Sequence, residues 1–172
     1  MSGSPDFTAV KTSADLLAIV RRMEERSAER YRELAEAFET SCNNLETAEA
    51  FRDLAEGEDR HAAEFPALAG PRPDLAVWGE DDPEIADPSA VHYLMHPWHA
   101  FDLALRHEQE TLALFSALAE KSPYPEVKAE AVRLVLRERE HVERMKAKRD
   151  DSPVPPDDWD DDDDDPNWEA GD

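Results

Sequence analysis

The segment FRDLAEGEDRHAAEF, residues 51–65, decides the fold of this chain. Its apolar residues at helical spacing are Phe51, Leu54 and Phe65. The same stripe passes through Glu58 and His61, so a carboxylate and an imidazole lie one turn apart where an amphipathic helix presents apolar side chains to a core. A single pair of this kind in a glutamate-rich helix is typical of an exposed polar face. Whether this pair lies on the surface or in the core therefore has to be decided from the rest of the chain.

The same spacing recurs in LREREHVERM, residues 136–145, where Glu138 and His141 interrupt another apolar stripe. Upstream of each pair, a further helical stripe contains one carboxylate, Glu24 in the first half of the chain and Glu108 in the second. A carboxylate helix followed by a Glu-x-x-His helix thus occurs twice, with the glutamates shifted by 84 (108 − 24) and 80 (138 − 58) residues. The chain is predicted to contain two similar helical hairpins.

The periodicity predicts an all-α fold, a four-helix bundle of two antiparallel hairpins joined by a long crossover. We predict helices from about Ser13, as N-cap, to Thr40, from Leu45 to Leu68, from Pro97 to Glu120, and from about Pro125 to Lys148. The crossover, rich in Pro and Asp, includes a predicted short helix near Val91. The predicted organisation is a loose N-terminal arm (1–13), the bundle (14–149) and a disordered acidic tail (150–172).

The composition restricts the function. The formal net charge of −23 argues against nucleic acid and anionic membranes as partners, since both bind basic surfaces. Cys42 is the one cysteine, which excludes an internal disulfide and a cysteine-based metal site. The N-terminus lacks the pattern of a signal peptide, and no apolar stretch is long enough to cross a bilayer. We therefore expect a soluble, cytoplasmic protein.

Distances from the turns predict that the four glutamates form one layer. Residues of an antiparallel hairpin face each other when they are equally far from its turn. The midpoint of Glu24 and Glu58 falls in the turn TSCNN, and that of Glu108 and Glu138 falls in KSPYP. Each carboxylate then lies about 22–25 Å from its turn. Four buried carboxylates repel one another and lose hydration, which two divalent cations would offset. We predict a dinuclear metal site, for which the helix arrangement is a known template.

Several other polar residues admit two interpretations. Tyr31 either hydrogen-bonds a ligand carboxylate or only packs in the core. The three histidines of HYLMHPWH form either a second metal site or part of an ordinary crossover; they are His92, His96 and His99. The run Asp160–Asp165 either attracts Fe²⁺ or a basic partner, or keeps the protein soluble. Five glutamates off the apolar stripes are predicted to lie on the surface: Glu25, Glu29, Glu33, Glu110 and Glu140.

These segments resemble the rubrerythrin-like branch of the ferritin-like superfamily, through about residues 14–149. The resemblance rests on MEERSAERYRELAE, FRDLAEGEDRHAAEF, ALRHEQETLALFSALAE and LREREHVERM. It implies two iron ions, with manganese as the alternative, and Fe(II), dioxygen or hydrogen peroxide as reactants. It also implies a homodimer and a role in oxidative stress. The implied metal ligands are Glu24, Glu58, His61, Glu108, Glu138 and His141, with Glu58 and Glu138 bridging.

Two departures from that family bear on function. Rubrerythrins proper carry a rubredoxin domain with four cysteines, whereas this chain has one cysteine, so electrons must come from an external donor or from Fe²⁺ itself. An additional glutamate of rubrerythrins is absent, since the matching places hold Leu105 and Thr111. We therefore expect a di-iron oxidoreductase of the ferroxidase or peroxidase type. The alternatives are an oxygenase acting on an organic substrate and a non-enzymatic metal-binding or interaction protein.

Overall fold

The computed structural model describes residues 7–67 and 92–160, and these ranges contain four α-helices and no β-strand. The helices are α1 (Ser13–Thr40), α2 (Leu45–Ala63), α3 (Pro97–Lys121) and α4 (Pro125–Asp151). α1 packs along α2 and α3 along α4, while the α2–α3 and α1–α4 contacts close the bundle. The predicted all-α bundle of two hairpins is confirmed. Within the described ranges, none of the helices combines the length and apolar character needed to cross a bilayer.

Two apolar clusters fill opposite ends of the bundle and fix the direction of its helices. The Phe51 cluster joins the start of α2, the start of α3 and the ends of α1 and α4; its larger members include Phe38, Phe51, Leu105 and Met145. The Phe115 cluster joins the opposite helix ends, through residues that include Val20, Phe65, Phe115 and Val127. α2 and α3 therefore run in the same direction, as a crossover connection requires. Residues 68–91, with the predicted short helix near Val91, lie outside the described residues.

The helix ends differ from the predicted ones by a few residues. The N-cap of α1 is Thr12 rather than Ser13, and Thr12 forms a reciprocal capping box with Asp15, each backbone N–H donating to the other side chain at 3.1 Å. α2 ends at Ala63, five residues before the predicted end, because Pro66 disfavours helical geometry at the residue before it. α4 continues three residues beyond Lys148, to Asp151, and Pro153 follows its C-cap.

Both flanks of the bundle contain side chains that pack against it. In the predicted N-terminal arm, Val10 is fully buried in the Phe115 cluster. In the predicted tail, the indole of Trp159 packs against the Phe51 cluster and against His99, with ring centroids 3.9 Å apart. A loose arm and a disordered tail therefore do not describe these parts of the two flanks. Residues 1–6 and 161–172 lie outside the described residues, and most of the acidic run lies among them.

Gly57 lies within α2, where glycine costs more conformational entropy than other residues. A Cβ atom at this position would have Arg60 Nη2 as its nearest contact, at 4.0 Å, so an alanine fits without displacing a neighbour. We expect Gly57→Ala to raise the free energy of unfolding of the metal-free protein by about 0.5–1 kcal/mol. Urea denaturation followed by circular dichroism measures this change. Ala113→Gly, at an exposed position of α3, should lower stability by a similar amount, and a destabilised Gly57→Ala would contradict the prediction.

Candidate metal centre

The first half of the centre joins α1 and α2 midway along the bundle, between the two apolar clusters. Oxygens of Glu24 and Glu58 and a ring nitrogen of His61 all lie within 4.8 Å of one another. The Nδ1 atom of His61 lies 3.2 Å from Glu58 Oε2 and 3.7 Å from Glu24 Oε2. The Glu58 side chain is 5% exposed, and those of Glu24 and His61 are 12% and 13% exposed. These three residues form a largely buried group of metal-binding atoms.

The second half joins α3 and α4 with the same chemistry. Glu108, Glu138 and His141 also offer ligand atoms within 4.8 Å of one another. Their side chains are buried, and His141 Nδ1 lies 3.7 Å from Glu108 Oε2 and from Glu138 Oε1. Both histidines therefore direct Nδ1 toward two carboxylates. The structure brings each predicted trio together at matched positions of the two hairpins.

The two halves meet at the centre of the bundle. The imidazole rings of His61 and His141 stack with centroids 3.8 Å apart and an interplanar angle of 14°. α2 and α4 lie diagonally across the bundle, so these rings extend from opposite helices into one layer. The six side chains thus form one site with approximate two-fold symmetry rather than two separate groups.

Each hairpin pairs two carboxyl groups that differ in proton affinity. Burial, with hydrogen bonding to Glu24, raises the pKa of Glu58 well above its usual range. Burial and the hydrogen bond to Glu108 likewise raise the pKa of Glu138, to about 11. Burial acts in the same direction on Glu24 and Glu108, but hydrogen bonds with the paired glutamate and histidine outweigh it and lower both pKa values, that of Glu108 to about 2. Each metal-free pair therefore holds one proton near neutral pH.

Two buried hydroxyl groups add to the symmetry of the site. Among the described residues, Ser27 Oγ and Thr111 Oγ1 are buried and have no hydrogen-bond partner, although buried polar groups usually have one. Ser27 lies three residues after Glu24, and Thr111 lies three residues after Glu108. One hydroxyl therefore lies one helical turn from the carboxylate of each half. An oxygen-rich metal centre with bound water or hydroxide would offer both hydroxyls acceptors, so the residues present fit such a group.

The prediction from sequence did not include Ser27 as a site residue. It named Thr111 only as a position where rubrerythrins have a glutamate. Their relationship was nevertheless visible, because residues 24–36 align with residues 108–120 and this alignment pairs Ser27 with Thr111. Periodicity also places each on the face of its helix that carries the glutamate. A search for polar residues matched between the two repeats would have found them.

The remaining candidates have other surroundings. Tyr31 is buried, and its ring stacks on Phe51 with centroids 6.1 Å apart, so it belongs to the Phe51 cluster. The five glutamates predicted to be surface residues are all exposed: Glu25, Glu29, Glu33, Glu110 and Glu140.

The three histidines of HYLMHPWH do not form a comparable group. Nδ1 of His92 accepts from the backbone of Leu94, and Nδ1 of His99 accepts from that of His96. Within residues 7–67 and 92–160, the two halves of the centre are the only clusters of three metal-binding side chains. Of the two interpretations of these histidines, the second metal site therefore finds no support in the described part of the chain.

Comparisons with known proteins agree with this geometry. The sequence model of the rubrerythrin family matches residues 15–149. The chain is also similar to a solved structure, that of an uncharacterised conserved protein from Magnetospirillum magnetotacticum MS-1. The two are 33% identical with a TM-score of 0.58, over 83% of this chain and 97% of the other. A search of curated proteins found no match.

Proposed function

The chain belongs to the rubrerythrin family, and we propose that it is a non-haem di-iron redox protein that oxidises Fe(II) with hydrogen peroxide or dioxygen. The observation that carries this proposal is the pair of symmetry-related trios, each with two carboxyl groups and one imidazole Nδ1. Imidazole and carboxylate together suit iron, and carboxylate oxygens suit manganese as well. Both metals support redox chemistry at such a centre, whereas imidazole ligation and membership of the rubrerythrin family favour iron, which is our assignment.

The ligands follow from position and charge. In the proposed arrangement, Glu24 and His61 serve one iron, while Glu108 and His141 serve the other. Glu58 and Glu138 would serve both ions, and the two cations would displace the protons that burial leaves on these carboxyl groups. Four carboxylates then balance the four charges of two Fe²⁺ ions. Charge neutrality and the short distances both favour two ions over one.

When bound, two irons supply one electron each, which matches the two electrons that hydrogen peroxide accepts. The overall reaction takes two Fe(II), one hydrogen peroxide and two protons to two Fe(III) and two water molecules. The chain contributes ligand charge, since carboxylates stabilise Fe³⁺ more than Fe²⁺ and so favour oxidation. The apolar clusters on either side of the layer limit access of water.

The electron source is also part of the proposal. The given residues contain one cysteine, whereas the iron site of a rubredoxin domain takes four, so no rubredoxin site forms within these residues. Fe(II) as substrate or a separate donor protein would supply the electrons. The net charge of −23 favours the approach of Fe²⁺ over that of anions in bulk solution.

The test adds Fe²⁺ to metal-free protein under air, and separately with hydrogen peroxide, and follows Fe(III) formation by absorbance. We expect oxidation faster than in buffer, with an early phase of about two irons per chain, as a dinuclear centre implies. Hydrogen peroxide should react at least as fast as dioxygen. His61→Ala and His141→Ala should each abolish this early phase, because each removes one imidazole ligand.

The matched control is His96→Asn, which removes an exposed imidazole but keeps a residue that caps α3 well. It should oxidise Fe²⁺ like the parent. If His61→Ala and His141→Ala also match the parent, then surface carboxylates or the acidic tail cause the oxidation, and the di-iron assignment fails.

A further inference from the structure

A pocket between α2 and α4 connects the metal centre to solvent. Its volume is about 80 Å³. Its inner wall contains residues of both trios: Glu58, His61, Glu108 and His141. A molecule in this pocket would therefore face both halves of the centre. The volume corresponds to that of about two or three water molecules, so the pocket admits a ligand of a few non-hydrogen atoms.

The outer wall of this pocket is cationic, in contrast to the strongly acidic chain. Arg60 of α2 and Arg144 and Lys148 of α4 line it, and all three are exposed. No carboxylate in the described ranges forms an ion pair with Arg60 or Arg144. By contrast, Arg32 of α1 is paired with Asp59, and Arg52 of α2 is paired with Glu39. The two guanidinium groups are thus left available at the entrance.

The remaining charged side chains of the pocket entrance leave it with an excess of positive charge. The ammonium of Lys148 lies 5.6 Å from the centroid of the Phe101 ring, a contact that does not neutralise it. Asp53 is the one acidic residue of the lining that belongs to neither trio. Three positive charges therefore meet one negative charge at the entrance.

Gly57 adds no side chain to the entrance. It lines the pocket one residue before Glu58, and an added Cβ would approach the Arg60 guanidinium to 4.0 Å. A larger side chain here would extend into the space that Arg60 borders. This gives a reason for a glycine within α2, where it lowers helix stability.

We propose that this pocket binds a small monovalent carboxylate, with its inner oxygen toward the metal pair and its charge balanced by Arg60, Arg144 and Lys148. The inference rests on the proposed function, because without bound cations the buried glutamates would repel an anion. Planar guanidinium groups recognise carboxylates well, and the volume admits a molecule of the size of formate or acetate. The same charges disfavour Fe²⁺ at this entrance.

The experiment uses full-length protein loaded with Mn²⁺, with metal content measured on every sample, and ¹³C-formate as the probe. Paramagnetic relaxation of the formate carbon reports proximity to the metal, and a titration gives the dissociation constant. We expect Arg60→Gln and Arg144→Gln each to weaken formate binding by about 3- to 10-fold, as loss of one nearby charge in a partly solvated site implies. Gly57→Leu should abolish the relaxation effect while circular dichroism and metal content stay unchanged.

Arg139→Gln is the control, because it removes an exposed positive charge from the same helix, α4, outside the pocket lining. It should leave formate affinity unchanged. The proposal is overturned if Arg60→Gln and Arg144→Gln bind formate like Arg139→Gln, or if Mn²⁺-loaded parent protein shows no relaxation of formate. Absence of bound Mn²⁺ in the parent would instead refute the metal centre itself, and the carboxylate site with it.

Discussion

Replacing Glu58 with alanine is expected to remove most of the bound metal, from about two ions per chain to well below one. Glu58 is 4% exposed and lies 3.2 Å from the Nδ1 atom of His61. Glu24, Glu108 and Glu138 all contribute to the raised pKa of Glu58, so this carboxyl group interacts electrostatically with both halves of the centre. A bridging ligand serves both ions, and its loss should weaken metal affinity by at least about 100-fold, more than loss of an outer hydrogen-bond partner. Elemental analysis after dialysis measures the change.

Glu56→Ala is the matched control, because Glu56 is an exposed glutamate on the same helix, two residues away. It should retain about two ions per chain, as a variant with an intact dinuclear centre should. Glu138→Ala should behave like Glu58→Ala, since the two glutamates occupy equivalent positions in the two hairpins. A Glu58→Ala protein that still binds two equivalents would show that the metal lies elsewhere.

The metal centre could be predicted from the sequence because it depends on residue spacing within helices and on distance from the turns, and the sequence contains both. Helical periodicity places Glu58 and His61 on an apolar stripe, and equal distance from a turn places Glu24 opposite Glu58. Both relationships are independent of how the side chains pack in detail. The internal repeat supplied a second copy of the same observation, and the structure brings the two together through the stacked rings of His61 and His141.

Features that depend on tertiary packing were harder to predict from the sequence. The burial of Val10 and the packing of Trp159 against His99 place isolated apolar residues against the bundle, and a single residue has no periodicity to reveal it. Helix ends also depend on local competition, as at Pro66, where chain geometry ends α2 although the apolar pattern continues to Phe65. The cationic pocket combines residues from α2 and α4, which lie diagonally across the bundle, so no local pattern connects them.

The metal-free protein is expected to lose stability as the pH rises from about 5 to 9, and bound metal should remove this loss. The pKa of glutamate is 4.5 without the folded environment, and folding raises the pKa of Glu138 to about 11 and that of Glu58 well above 4.5. At a pH above 4.5 and below the raised pKa of each group, the folded chain holds a proton that the unfolded chain has released. The stability that Glu58 and Glu138 contribute is therefore fully present below the unfolded pKa and falls with rising pH, by about 1.4 kcal/mol per pH unit for each retained proton.

Glu24 and Glu108 act in the opposite direction and in another pH range. Their pKa values are lowered in the folded chain, so the stability they contribute is present above pH 4.5 and lost as the pH falls toward about 2 for Glu108. Above pH 5 the dependence of stability on pH therefore comes from Glu58 and Glu138 rather than from Glu24 and Glu108. Urea denaturation of metal-free protein at several pH values measures the slope.

The variant Glu138→Gln distinguishes the effect of these protons on the pH dependence of stability from the general effect of charge repulsion in an acidic chain. Glutamine resembles the protonated acid in shape and carries no titrating proton, so this variant should lower the slope by about 1.4 kcal/mol per pH unit. Glu140→Gln removes an exposed charge from the same helix and should leave most of the slope in place.

Metal binding should release about two protons per chain near neutral pH, because two cations displace the protons of Glu58 and Glu138. Calorimetric titration of metal into protein, repeated in buffers with different ionisation enthalpies, counts these protons. Apparent metal affinity should rise with pH, whereas the stability of the metal-free chain falls, because both follow from the same two protons. Release of no protons, or a slope unchanged in Glu138→Gln, would mean that the buried carboxyl pairs are already fully ionised before metal binds.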